Sequence, residues 1–171
     1  MDSVTLREHV EKLRAGDLEA FEVIYRELKT PVYTVLLRIT RDEALSEDLL
    51  QELFLKLFQS PPPPSVKNPR AYLFQMARNL ALDSLRGRQQ FEELEESLAA
   101  RTAEDLAVKL DVAAALRALP LLERQIVALH LNGGLKFREL AEMMDLPLGT
   151  VLWRYRRAIE ELRRILSGGV R

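Results

Sequence analysis

Between Lys136 and Arg157 a helical apolar pattern is cut by Asp145-Leu146-Pro147 and starts again within two residues. Phe137, Leu140, Ala141 and Met144 fall on one side of a short helix. Proline has no N–H to donate and pushes the residue before it toward extended geometry, so the chain must turn at Leu146-Pro147. Gly149-Thr150 restarts it. A threonine hydroxyl there can cap the free N–H groups of the next helix, where a phosphate also sits well. At about 100° per residue, Val151, Tyr155, Ala158, Leu162 and Leu166 then share one stripe. Trp153, Arg157, Glu160 and Arg164 lie opposite, with Leu152 and Arg154 at the borders. The first stripe is a core. The opposite face sets arginines beside a tryptophan, and its first turn after Thr150 contains no acid, although Glu160 and Glu161 follow later. The pattern is that of a helix-turn-helix whose second helix suits a DNA major groove. A solvated helix with salt-bridged arginines is the plainer alternative.

The charge is arranged in blocks that the net value of −1 conceals. Residues 1–66 hold eight basic and twelve acidic side chains; residues 67–90 hold five basic (Lys67, Arg70, Arg78, Arg86, Arg88) against Asp83. Residues 91–111 hold seven acidic against Arg101 and Lys109, and residues 112–171 hold ten basic against six acidic. Two basic blocks with an acidic one between them suggest two nucleic-acid contacts joined by a segment that is not one.

At 171 residues the chain can form one large domain or two small ones with real cores. Helical periodicity runs through windows at about 5–15, 17–29, 31–40, 43–59, 69–87, 105–118, 120–131, 136–144 and 149–166. No window alternates like a strand, so an all-α fold is expected. Asn132-Gly133-Gly134 ends a helix by a left-handed turn. The prolines of Ser60–Asn68 favour a stiff extended loop, and Phe91 to about Glu104 reads as a flexible acidic linker between two small helical domains. There is no cysteine, no amino-terminal signal pattern and no membrane-length apolar run, so a cytoplasmic protein is expected. His9 and His130 stand alone, and no catalytic, metal or cofactor constellation is expected.

Two helices of the first half carry further information. In Asp42–Phe58, an acidic first turn complements the helix dipole. Leu49, Leu50, Leu53, Phe54, Leu57 and Phe58 form an apolar stripe, with Asp48, Gln51, Glu52 and Lys56 outside it. That outer face is either merely solvated or a docking face for a partner protein. In Asn68–Arg86, Pro69 sits in the first turn. Arg70, Tyr72, Phe74, Arg78, Asn79, Arg86 and Arg88 are the expected outward side chains, and Leu73, Met76, Ala77 and Leu80 the expected core. Arginines interleaved with aromatics suit a single strand, because guanidinium binds phosphate while rings stack on bases.

The series Gly16–Tyr25, Glu47–Phe54 and Asn68–Asp83 resembles region 2 of bacterial sigma-70-family factors of the extracytoplasmic-function (ECF) group. Ala115–Leu129 with Leu140–Val151 resembles region 4 of the same family, and together the two cover nearly the whole chain with only a short linker between them. The resemblance implies region 2 over 1–90, a linker over 91–110 and region 4 over 111–171. It also implies a non-enzymatic transcription initiation factor that binds core RNA polymerase through the β′ clamp helices and β flap. Such a factor reads promoter DNA at −10 and −35 elements, helps to melt it, and answers to an anti-sigma factor.

By position, Asp48, Leu49, Gln51, Glu52 and Phe54 would dock on the polymerase. Lys67, Asn68, Tyr72, Arg78, Asn79 and Arg86 would meet the −10 strand, with the Ser60–Asn68 loop capturing a flipped base. Thr150, Leu152, Trp153, Arg154, Arg156 and Arg157 would meet −35 DNA. The acidic linker would run in the polymerase channel toward RNA exit. Two departures from the family pattern stand out. Leu152 and Trp153 occupy positions where the family commonly has lysine and serine, and Pro61–Pro64 stiffens the −10 loop. The first leaves open a sigma-like regulator acting mainly through protein–protein contacts.

Overall fold

The computed structural model describes residues 1–95 and 112–168, which form eight helices and no strand. Three aspartates set the starts of the first three. Asp2 accepts the N–H groups of Val4 and Thr5 to open α1 (Ser3–Arg14), Asp17 those of Glu19 and Ala20 to open α2 (Leu18–Thr40), and Asp42 that of Leu45 to open α3 (Glu43–Gln59). Each cap of this kind contributes about 1 kcal/mol. At the start of α4 (Pro69–Glu95) the Asn68 carboxamide oxygen takes the Ala71 N–H at 3.1 Å. The second group comprises α5 (Val112–Ala118), α6 (Leu121–Leu131), α7 (Phe137–Met144) and α8 (Leu148–Gly168).

Helix α2 differs from the sequence expectation, which broke it near Pro31. The helix passes straight through the proline. The ring removes one backbone hydrogen bond, a substantial local penalty. Against it stand Ile24, Leu28, Val32, Val35, Leu36 and Ile39, all 0–1% exposed and in helical phase on both sides of the proline. Breaking the helix would throw one half of that stripe out of the core. Helices α1, α3 and α4 all pack on α2, and the Asp42 carboxylate meets Arg88 at 2.6 Å to tie the start of α3 to α4.

The two helical groups share a core. Ile126, Ala128, Leu129, Leu135, Leu140, Ala141 and Val151 are continuous with the buried side chains of α1–α4, because α6 lies against α2. A smaller cluster of Ala115, Leu116, Leu119, Val127, Ala158 and Leu162 closes the far side of α6 against α5 and α8. Enclosed in this way, α6 buries even Glu123, Arg124 and Gln125. The expected linker begins as helix, since α4 continues to Glu95; the rest of 91–110 lies outside the described residues, as does the first part of the helix expected at 105–118.

Two loops depart from simple expectation. The proline run does not continue as a rod: it turns at Pro64-Ser65, where the Val66 N–H donates to the Pro63 carbonyl at 3.0 Å. Proline preset at the second position of a β-turn explains the change of direction. Pro62 and Pro69 are buried, and Arg7 of α1 donates to the Lys67 carbonyl. After α6, Gly134 supplies the left-handed residue (φ +68°), while Gly133 is required for another reason. A Cβ on Gly133 would stand 2.5 Å from the Leu129 carbonyl oxygen. Gly133→Ala is expected to destabilise the chain by about 1–3 kcal/mol, read as a fall of several degrees in Tm by thermal unfolding.

Candidate nucleic-acid interface

The helix-turn-helix is built as its sequence requires, with one shift. Helix α7 ends at Asp145 in the left-handed conformation (φ 52°), and the Leu146 N–H closes the turn on the Ala141 carbonyl at 3.0 Å. Helix α8 starts earlier than expected, at Leu148, with the Thr150 and Val151 N–H groups both donating to the Pro147 carbonyl. Thr150 therefore lies inside the first turn rather than capping it. Behind the motif, His130 stacks on Phe137 and both meet the Tyr155 ring edge-on, at centroid distances of 4.1–5.1 Å, and His130 Nδ1 lies 2.8 Å from the Leu135 carbonyl oxygen. His130 is thus a packing residue at the edge of the core, and His9 folds back to its own helix, with Nδ1 2.8 Å from the Thr5 carbonyl oxygen.

The outer face of α8 separates into two kinds of arginine. Arg156 and Arg157 are exposed, and Trp153 is 53% exposed. Arg157 and Arg154 lie over the Trp153 ring, 5.4 and 5.8 Å from its centroid, a cation–π arrangement that orients the indole. Arg154 is different: its guanidinium reaches inward to the buried Glu123 carboxylate at 2.7 Å. It anchors α8 to α6. Leu152 is half-buried, and Arg164 is paired to Glu161.

Helix α4 also divides by face. Phe74, expected outside, is fully buried with Leu73, Ala77 and Ala81, and the Arg70 guanidinium covers its ring. Tyr72, Gln75, Met76, Asn79, Leu80 and Asp83, together with Lys56 of α3, line an open cleft of about 390 Å³. Sequence reading identified Tyr72 and Asn79 but missed Lys56 and Gln75; the cue for Gln75 was its position three residues from Tyr72 and four from Asn79. Lys67 is exposed on the proline loop, and Arg86 is held by Asp83 at 2.9 Å. Asn68 and Arg78 do not face the cleft. They turn toward the second group of helices, Asn68 Nδ2 donating to Glu139 at 2.5 Å and Arg78 Nε to Gln125 at 2.7 Å.

Comparison with known proteins decides what these surfaces belong to. Residues 24–91 match the family model for sigma-70 region 2, and residues 109–162 that for sigma-70 region 4. The ECF RNA polymerase sigma factor SigK of Mycobacterium tuberculosis (strain ATCC 25618 / H37Rv) is 30% identical over 169 residues, covering 91% of this chain and 90% of that protein. SigK of Mycobacterium ulcerans (strain Agy99) is 29% identical over the same shares. The chain is a sigma-70-family factor of the ECF group.

Solved structures agree on the fold of this ECF factor. The sigma factor RpoE in complex with the anti-sigma factor NepR, from Bartonella quintana, superposes with a TM-score of 0.70 at 21% identity, covering 88% of this chain and 98% of that one. CnrH in complex with the cytosolic domain of CnrY gives 0.71 at 19% identity, over 96% and 99%. As a sigma factor the chain acts in transcription initiation, and sigma factors are not enzymes. No helix among the described residues is long and apolar enough to cross a membrane.

Within region 2, the α3 residues assigned to polymerase docking also separate. Asp48, Gln51 and Glu52 are exposed, Glu52 pairing with Lys56 at 2.6 Å. Leu49 and Phe54 are 4% and 3% exposed, so they hold α3 in the core and present no surface to a partner. The apolar groups that do emerge beside them are Leu55, Phe58 and Tyr25, on an aromatic cluster with Phe21 and Phe54.

The two classes of α8 arginine separate by stability. Arg154→Ala leaves the Glu123 carboxylate buried without its partner and is expected to cost about 2 kcal/mol. Arg157→Ala should change stability by no more than about 0.5 kcal/mol. Urea unfolding of the two variants measures the difference.

Proposed function

We propose that this ECF factor binds core RNA polymerase and directs it to the −10 and −35 elements of one regulon's promoters, helping to open the duplex. The supporting observation is a pair of surfaces, one on each region, suited to different forms of DNA. On region 4, the first turns of α8 present Trp153, Arg156 and Arg157 with no acid among them, the face a major groove would receive. On region 2, the cleft beside Tyr72, Gln75 and Asn79 has the mixed apolar and hydrogen-bonding lining that an extruded base needs. Lys67 on the proline loop supplies a cation for the strand, and Lys56, paired with Glu52, supplies a second from the cleft's lining.

In this reading Arg154 positions the recognition helix, and Thr150, Leu152, Trp153, Arg156 and Arg157 lie along the DNA. Leu152 and Trp153 suit thymine methyls and sugar edges. Asp48, Gln51 and Glu52 form the polar part of the polymerase-docking face on the β′ clamp helices, and region 4 meets the β flap. RpoE was solved with an anti-sigma factor and CnrH with the cytosolic domain of CnrY, which supports a protein partner of the anti-sigma kind here. A second reading, regulation mainly through protein contacts, draws on the exposed Trp153 and on Leu152 before it.

Run-off transcription with core polymerase separates the two: promoter-specific transcripts with no other factor are expected, and their absence across all candidate promoters would leave the protein-contact reading. For the −35 face, Arg157→Ala is expected to weaken binding of the full chain to −35 duplex DNA. The slope of log affinity against log salt should become shallower by roughly one unit if that guanidinium meets a phosphate. Unchanged affinity would place the DNA on another surface.

A further inference from the structure

We propose that the cavity between the end of α2 and α5 is an anion site that takes a diphosphate group, free or carried by a nucleotide, on the guanidiniums of Arg38, Arg41 and Arg117. None of these residues belongs to the surfaces assigned above to promoter DNA or to the polymerase, so the site stands apart from that reading.

The cavity has a volume of about 200 Å³ and is lined by Thr34, Leu37, Arg38, Arg41, Leu116 and Arg117. Three of these side chains are cations and none is an acid. A fourth guanidinium lies beside them. Buried Arg124 donates to the Ile39 carbonyl and to the Leu119 carbonyl, which Arg41 also uses. Arg38 donates to Asn132 Oδ1. Each of these acceptors is a neutral oxygen. Among the described residues none of the four arginines has an ion pair, and the buried Arg124 Nε has no hydrogen-bond partner. The acids next to them in sequence are committed elsewhere, Asp42 to Arg88 and Glu123 to Arg154.

Helix ends account for only part of this charge. Arginines collect at the carboxyl ends of helices, where the unpaired carbonyls carry about half a negative charge. The ends of α2 and α5 together offset about one of the four cations on that scale. The others stay close together beside the apolar walls of Leu37 and Leu116. Burial pulls the Arg38 and Arg41 guanidiniums below their ordinary range, and the neighbouring Arg117 charge adds to that at Arg41. Arg41 also holds the left-handed position that ends α2 (φ 63°), which glycine or asparagine usually fills, so backbone preference does not select arginine there.

Charge and size select the ligand. Guanidinium forks match phosphate oxygens and make charge-assisted bonds to them, stronger than those they make to carbonyls. One phosphate monoester brings roughly −1.5 to −2 charges, so two linked phosphates come closer to the excess. Pockets that enclose a whole drug-sized ligand run to roughly 300–1,000 Å³. This smaller cavity holds the phosphates between Arg41 and Arg117 and leaves any attached nucleoside outside.

The test uses the full chain in magnesium-free buffer. Sodium pyrophosphate and ADP are the probes, sodium sulfate at equal ionic strength is the reference, and titration calorimetry is the readout. One pyrophosphate per chain is expected, with an affinity at least about tenfold above that for sulfate. Arg117→Ala and Arg41→Ala should each weaken it at least about tenfold, the loss of one charge-assisted contact. Arg117 is exposed, which keeps the test valid should Arg41→Ala disturb the end of α2. Arg26→Ala removes the same charge from an exposed position of α2. It lies about 20 Å along the helix from Arg41, beyond the screening length of roughly 10 Å, and should leave the affinity within about twofold.

Equal binding of pyrophosphate and ADP identifies the diphosphate itself as the ligand, and tighter binding of ADP names a nucleotide as its source; both uphold the site. No preference for pyrophosphate over sulfate overturns it. So does an affinity that Arg117→Ala and Arg41→Ala leave unchanged, or that Arg26→Ala lowers as much as they do. The promoter-binding reading is untouched by any of these results.

Discussion

The apolar stripe of α2, unbroken across Pro31, carries the load of both halves of the molecule. Its residues from Ile24 to Ile39 are buried against α1, α3 and α4, and the same helix then takes α6 of region 4 against its flank. A helix committed on so many sides cannot kink without opening several contacts together, and a proline that would normally end it is overruled. The placement of α4, and therefore of the cleft at Tyr72 and Asn79, follows from that commitment. So does the contact with region 4, because Arg38 and Arg41 at the end of α2 donate to Asn132 Oδ1 and to the Leu119 carbonyl.

Buried polar groups are the second organising theme. Glu123, Arg124 and Gln125 occupy three successive positions of α6 and each looks in a different direction: to Arg154 of α8, to the carbonyls of Ile39 and Leu119, and to Arg78 of α4. Three consecutive residues on a helix point about 100° apart, so α6 is specified in three directions by directional bonds as well as by packing. Apolar contacts alone would permit it to slide or rotate. Such bonds add little net stability, but they select one arrangement among many of similar hydrophobic burial.

Most of the helical plan was legible in the sequence because its signals are local. Aspartates ahead of apolar runs, Asp145-Leu146-Pro147 and the paired glycines mark helix ends wherever the rest of the chain goes. The inward stripe of α8 could be read from spacing alone, as could the exposure of Trp153 and Arg157. What escaped was long-range. Phe74 sits among arginines in the sequence and reads as an outward ring, yet the guanidinium of Arg70 covers it in the core. Leu49 and Phe54 were assigned to docking by position although the apolar stripe of their helix already pointed them inward, and their burial decides between the two readings. Arg154 looks like its neighbours until Glu123, thirty-one residues earlier, is brought beneath it. A proline inside a helix cannot be distinguished from a proline at its end without asking what the apolar stripe would lose.

The cation–π contacts on α8 also give the molecule an optical property. Trp153 is the sole tryptophan of the chain, and it stands exposed with the guanidiniums of Arg154, which Glu123 holds, and of the exposed Arg157 over its ring. All indole emission therefore originates on the recognition helix. A base, sugar or apolar partner that covers that ring will shift its spectrum, whereas events at the region 2 cleft leave the emitting group untouched. The unmodified chain carries a built-in reporter for one of its two DNA-facing surfaces.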